Sequence, residues 1–360
     1  MSSTPSSGRP ANDTPAPDAP VTLDELRALF DKLPGPDLAA ASAVATREVQ
    51  LTKPAGALGR LEDFSQWLAA WQGRATPKLT RPRVAVFVAN HGIADRGVSA
   101  YPASVTKQMV ENFVQGGAAI NQLCTLIDAD LRVYELDLDA PTQDFVDAPA
   151  MNEQECARAM AYGMMAVEQG IDVLCLGEMG IGNTTVAAAL CHGLYGGNPS
   201  DWVGPGTGVT GTAFDTKLQV VTAGVARHRD RLTAAGTDKD PMQWLAAVGG
   251  LEIAALCGAI LAARMGRTPV LLDGYVVTAA AAVLHRIDPR AIDHCLVAHL
   301  SAEPAHRLLC EKIGKRPVLD LGMRLGEGTG AALAVTILKA AVDCHTGMAT
   351  FEQAGVSGPV

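Results

Sequence analysis

Two glutamates stand isolated among glycines in this chain. Glu178 sits in Leu176-Gly177-Glu178-Met179-Gly180-Ile181-Gly182-Asn183-Thr184, and Glu327 in Leu325-Gly326-Glu327-Gly328-Thr329-Gly330. Glycines on both sides let the backbone bend and a ligand come close, while packing asks for no charge there. Two carboxylates drawn into one site divide acid and base work, because nearby like charges push their proton affinities apart. Each also admits a local role, capping or packing its own loop, and a first-turn acid complements a helix dipole by about 0.3–1 kcal/mol.

The loop at 177–184 has the G-x-x-x-x-G frame of a phosphate loop, but Asn183 stands where an NTPase needs lysine. An ordinary NTPase is therefore disfavoured. Backbone N–H groups around Gly177, Gly180 and Gly182, with Asn183 and Thr184, can still cradle a phosphate at a helix start, and Gly328 and Gly330 offer the same at the second loop. A tight strand-to-helix turn with no ligand is the competing reading. Lys217, after a third glycine turn at Gly204-Pro205-Gly206-Thr207-Gly208, can supply the charge that Asn183 lacks, although a lone helix lysine is usually solvated. A dinucleotide fingerprint fails, since Gly180-Ile181-Gly182-Asn183-Thr184-Thr185 lacks the last small residue of G-x-G-x-x-G/A. His91, in Asn90-His91-Gly92, reads as an acid, a ligand or a satisfied strand-end histidine. No H-E-x-x-H or His/Cys cluster occurs in the sequence, so neither metal nor cofactor is expected.

These loops need elements to hold them. Val84-Ala85-Val86-Phe87-Val88 and Val173-Leu174-Cys175-Leu176 are short apolar runs of the kind buried in parallel sheets, and strands are also expected at 131–138, 268–272 and 297–300. Between them lie helical patterns near 104–115, 118–127, 152–169, from 186 onward, around Lys217, through 265, and at 274–284. The run from Val318 into Gly326 reads as strand, glycine loop, helix. Alternation of strand and helix predicts an α/β chain with a mostly parallel sheet flanked by helices. Residues 1–20, rich in Ser, Pro, Ala and Asp, are expected to be disordered. Helices at 22–33 and 38–51 and the amphipathic pattern Leu61, Phe64, Trp67, Leu68, Trp71 place 21–80, with 343–360, in a smaller helical lobe beside an α/β catalytic domain at 81–342.

The chain's 360 residues carry a net charge of -9 without a basic run, which argues against nucleic acid or anionic membrane as partner and for a small ligand. Eight scattered cysteines, without C-x-x-C, fit buried thiols in a reducing cytosol, and no apolar secretory core opens the chain. The apolar segments 245–263 and 270–284 are interrupted by Glu252 and Asp273, as interior elements are and membrane spans are not.

Taken together and in this order, Lys53-Pro54-x-Gly56-x-Leu58-Gly59-x-Leu61-Glu62, Asn90-His91-Gly92, Gly97-Val98-Ser99-Ala100-Tyr101-Pro102, Val105-Thr106-x-Gln108-Met109-Val110, the loop at 177–185, Gly204-x-Gly206-Thr207-Gly208 with Lys217, and Arg324-Leu325-Gly326-Glu327-Gly328-Thr329-Gly330 resemble the nicotinate-nucleotide:dimethylbenzimidazole phosphoribosyltransferase family. The resemblance covers nearly everything after residue 50. It implies a Rossmann-like sheet, a helical lobe from both chain ends, a homodimer, and transfer of 5-phosphoribosyl from nicotinate mononucleotide to 5,6-dimethylbenzimidazole with inversion, in cobalamin synthesis. It further implies Glu327 as general base, Glu178 as a second active-site carboxylate, the 177–184 loop with Lys217 around the nucleotide phosphate, and the aromatic base near Ser99, Tyr101, Gln108 and Met109. Two positions depart from the family's pattern and bear on base preference and loop contacts: Asn90, where many relatives carry Asp, and Pro205, where Arg is common. A transferase using another aromatic base, or a nucleotide-binding regulator without catalysis, are the alternative functions to test.

Overall fold

The computed structural model describes residues 21–358. The disorder expected for 1–20 and the last two residues of the expected lobe lie outside the described residues. Five strands, β1 (Pro82–Ala89), β2 (Asp130–Leu136), β3 (Val173–Met179), β4 (Val270–Leu272) and β5 (Cys295–Val297), form one all-parallel sheet in the order β2-β1-β3-β4-β5. The chain steps outward from β1 to β2 and then returns to the other side of β1 for β3. Such a reversal opens a crevice beyond the carboxyl ends of the strands.

Before the sheet come α1 (Leu23–Arg27), α2 (Leu38–Glu48) and α3 (Arg60–Gln72); α4 (Ser104–Gln115) and α5 (Ala119–Ile127) link β1 to β2, and α6 (Glu153–Met164) links β2 to β3. After β3 follow α7 (Asn183–Tyr195), α8 (Thr212–Ala234), α9 (Pro241–Val248) and α10 (Leu251–Met265), then α11 (Tyr275–Ile287) after β4, and α12 (Pro304–Lys312), α13 (Thr329–Gly347) and α14 (Phe351–Ala354) after β5. All eight β1 positions are buried, as an apolar strand covered on both faces requires. Alternate side chains of one strand serve opposite layers. Ala85, Phe87 and Ala89 pack toward a cluster with α6, α7, α9, α10 and α11, while Val84, Val86 and Val88 join α3, α4, α5 and α13.

One expected strand is absent. The run from Val318 makes only an isolated parallel bridge, His299 with Leu319, because Asp320 breaks the apolar pattern and Gly322 turns left-handed at φ +66°. The expected helices at 38–51 and 152–169 are shorter than their patterns, ending at Glu48 and Met164. Chain ends meet behind α13: Ser65 Oγ donates to the Ala341 carbonyl at 3.0 Å, and Arg47 Nε to the His345 carbonyl at 3.0 Å. The Lys53 ammonium, 3.0 Å from Glu48 and 2.8 Å from Glu62, ties that corner together. Its motif is therefore structural.

Helices α6 and α10 pack backbone against backbone. A Cβ on Gly258 would stand 1.8 Å from the Met160 carbonyl oxygen, and one on Gly163 1.8 Å from that of Ala255. Glycine inside a helix costs about 1 kcal/mol against alanine, so its use twice at one contact marks an approach that no side chain fits. Gly258→Val is expected to destabilise the fold by roughly 3 kcal/mol, read as a lowered urea midpoint with unchanged slope.

Candidate active site

A cavity of about 690 Å³ opens beyond the carboxyl ends of β3, β4 and β5. Tyr101, Val105, Met109, Met179 and Ile181 make its apolar part; Glu178, Asn183, Thr184, Thr207, Ser301, Glu303, Arg324 and Glu327 supply polar groups. The first turn of α11, with Gly274, lines it beside Ser301, a helix mouth of the kind that binds anions.

Glu178 is the penultimate residue of β3, and its Oε2 accepts from the Asn183 side-chain amide at the start of α7. The Glu327 N–H donates to the Glu178 carbonyl at 3.1 Å, so the two glycine loops dovetail. A Cβ on Gly326 would lie 2.5 Å from Glu178 Oε1, and one on Gly177 2.3 Å from the Gly328 nitrogen. Each loop needs its glycine where the other passes. Glu327 itself holds φ +63°, a left-handed conformation that costs a residue with a side chain about 1–2 kcal/mol. It is 5% exposed, and its Oε2 has no hydrogen-bond partner among the described residues.

Neither glutamate is paired with a cation among the described residues. Burial, reinforced by the Asp273 charge, pushes the Glu327 carboxyl up to about 7. Burial, then the charges of Asp273 and Glu252, pushes Glu178 up to about 8 against the opposing Asn183 bond. Carboxyls raised this far exchange protons near neutral pH.

Lys217, on α8, is fully buried. Its Nζ donates to Thr184 Oγ1 at 2.8 Å and to the Gly204 carbonyl at 2.9 Å. Burial lowers its pKa to about 8, with Glu303 opposing. Glu303 is itself raised by burial, against the pull of Lys217, and both its carboxylate oxygens lack hydrogen-bond partners among the described residues. Arg324 Nη1 donates to the Gly206 carbonyl at 2.8 Å, and Ser99 Oγ lies 3.0 Å from Thr207 Oγ1. Three loops thus meet over the cavity.

The chain matches a protein family described as phosphoribosyltransferase over residues 33–356. It is 58% identical over 338 residues to the nicotinate-nucleotide–dimethylbenzimidazole phosphoribosyltransferase of Brucella anthropi, covering 94% of this chain and 98% of that protein. The same name and identity apply to a relative from Sinorhizobium medicae over 340 residues, again 94% and 98% of the two chains. A crystal structure of the corresponding protein from Thermus thermophilus superposes with a TM-score of 0.82 at 40% identity, covering 90% of this chain and all of that one. The chain belongs to the nicotinate-nucleotide–dimethylbenzimidazole phosphoribosyltransferase family.

Of the residues that the sequence singled out for this phosphoribosyltransferase site, Glu178, Glu327, Gly180, Asn183, Thr184, Tyr101 and Met109 line one cavity. Lys217 stands behind Thr184, bracing it. Gly177, inside β3, and Gly182, Gly328 and Gly330 are not lining residues; Gly177 and Gly328 pack the two loops together, and Gly182 turns the chain into α7 at φ +95°. Ser99 ties the rim to Thr207, and Gln108 is exposed outside the lining. His91 lies in the buried floor, 2.9 Å from Glu252. Asn90, one of the two departures from the family's pattern, donates to the Leu138 carbonyl at 2.8 Å and so joins the ends of β1 and β2. Pro205, the other, accepts through its carbonyl from Gly208 and Val209.

Sequence reasoning missed Asp273, His299, Ser301 and Glu303 as site residues. Their signal was present in Leu272-Asp273-Gly274 and His299-Leu300-Ser301, polar residues breaking out of apolar strands as Glu178 does. Lys217→Met is expected to destabilise the protein by about 3 kcal/mol, because Glu303 loses its nearby cation and the Thr184 and Gly204 oxygens lose a donor. A chemical denaturation curve checks this.

Proposed function

We propose that the protein transfers the 5-phosphoribosyl group of nicotinate mononucleotide to 5,6-dimethylbenzimidazole, forming nicotinate and α-ribazole 5'-phosphate for cobalamin synthesis. Family membership supports the reaction class, and one observation carries the mechanism. Glu327 presents an unpartnered carboxylate, raised to about 7, in a cavity with one apolar and one polar part.

The nicotinate ring is a pyridinium while bonded to C1 of ribose, so it leaves as a neutral ring nitrogen without being protonated. The demanding part falls on the nucleophile. One benzimidazole nitrogen attacks C1 while the other loses its proton to Glu327; the new C–N bond forms as the old one breaks, and attack from the opposite face inverts C1 from β to α. The aromatic base fits the wall of Tyr101, Val105, Met109 and Met179. The phosphate fits the far side, where Thr184, Ser301 and the α11 mouth converge with Lys217 behind. Holding both reactants in line supplies about 7–11 kcal/mol in favourable cases. Glu178, raised further than Glu327, stands as the second carboxylate of the pair.

The reading includes a homodimer in a reducing cytosol. All eight cysteines are free thiols, and Tyr101 and Leu325 stand exposed at the cavity. It also takes 21–80 with 343–360 as a smaller lobe joined to the α/β domain through α13, consistent with the Ser65 and Arg47 bonds.

Chromatography of an incubation with nicotinate mononucleotide and dimethylbenzimidazole tests the reaction; binding of the nucleotide without nicotinate release marks a non-catalytic regulator instead. Glu327→Gln is expected to keep the fold and lower turnover by about 10²–10⁴-fold, and wild-type turnover removes the base assignment. The base form of Glu327 is populated above its raised pKa, so activity is expected to rise with pH through about 7. An acid limb near the ordinary carboxylate range of about 4 contradicts this.

A further inference from the structure

Asp273 follows β4 and is completely buried, and its bonds go to backbone. Oδ2 accepts from the Gly328 N–H at 3.1 Å and Oδ1 from the Ala331 N–H at 3.0 Å, so a single carboxylate fills the mouth of α13. A carboxylate on helix N–H groups is held by both charge and dipole. The N-cap position, Gly328, has no side chain to cap with, and at φ +81° it suits none. The capping group therefore comes from the residue after β4, 55 residues away in sequence.

His299, just past β5, adjoins this arrangement and also lines the cavity. Its Nε2 is 3.5 Å from Asp273 Oδ1, and both ring nitrogens lack hydrogen-bond partners among the described residues. The ring fills the space a Gly330 side chain would need: a Cβ there would meet His299 Cδ2 at 1.9 Å. Glu327 is thus pinned from two sides, by the Glu178 carbonyl on its own N–H and by Asp273 on the next one.

We propose that Asp273, backed by His299, is a positioning residue for the transfer reaction: it clamps the first turn of α13 and so fixes the left-handed backbone from which Glu327 reaches the substrate. Asp273 touches no substrate in this role. An unfavourable φ persists only where its surroundings over-determine it, and here the clamp is what does so. Without it the loop relaxes toward ordinary backbone angles and the carboxylate leaves its place; a displacement of about 1 Å costs about 100-fold in rate. Asp273 also contributes the negative charge that, after burial, holds the Glu327 carboxyl high.

The inference rests on Glu327 being the base. In the full-length protein, Asp273→Asn is expected to lower kcat about 100-fold with KM for both substrates within threefold, and to move the acid limb of the kcat profile to lower pH. Glu178, Glu303, Arg324 and His299, which face the same cavity, stay in place and leave that shift attributable to Asp273. A kcat within threefold of wild type overturns the proposal, as does a loss of activity that leaves the acid limb where it was. Should Asp273→Asn fail to fold, His299→Leu decides: it keeps both N–H bonds to Asp273 and is expected to lower kcat about tenfold at unchanged KM, and wild-type kcat overturns the proposal. Parallel assay of Glu327→Gln separates the two readings. An inactive Glu327→Gln beside a fully active Asp273→Asn removes only the clamp, whereas an active Glu327→Gln removes the base.

Discussion

The site depends on one backbone hydrogen bond between residues far apart in the chain, from the Glu327 N–H to the Glu178 carbonyl. It joins the end of β3 to the loop that enters α13, and it forms where Gly177 lets the two backbones close to within contact while Gly326 leaves room for the Glu178 side chain. Bringing the loops together brings the glutamates together. The constraint is steric before it is chemical: a methyl group at Gly177 would collide with the backbone at Gly328, and one at Gly326 with the Glu178 carboxylate itself.

The charges follow from that closeness. Glu178 and Glu327 share a desolvated wall with Asp273 behind them, so both hold protons to higher pH than a solvated carboxylate. No cation among the described residues pairs with either glutamate, although Arg324 lines the cavity. Lys217 is spent on Thr184 and Gly204, and Arg324 on Gly206, so the cavity separates a region suited to accepting a proton from one suited to an anion. A lysine paired directly with Glu327 would stabilise the carboxylate and remove its value as a base near neutral pH.

The surrounding fold serves rigidity. Alternating strand residues fill two separate helical layers, and the close approach of α6 and α10 leaves no slack on one side of the sheet. On the other side α13, which begins two residues after Glu327, is braced along its length by α3 and at its far end by the ties to α2. Strain held at Glu327 is therefore set against a helix that cannot easily move away.

The sequence by itself determined the parallel α/β architecture, since short apolar runs alternating with helical patterns have few other solutions, and it marked both glutamates because a charge among glycines has no packing reason. It also carried the family resemblance. It misread the run from Val318 as a strand, where two apolar residues before Asp320 support only one bridge. Tertiary structure alone decided which strand ends adjoin, and so that Asp273 from β4 and His299 from beyond β5 reach α13. It likewise decided that Lys217 braces a loop, that Ser99 ties the rim and that Gln108 stays outside the lining. The physical reason is that residue types and spacing record local preference, whereas burial, partner and proton affinity are properties of a neighbourhood assembled from segments far apart in the chain.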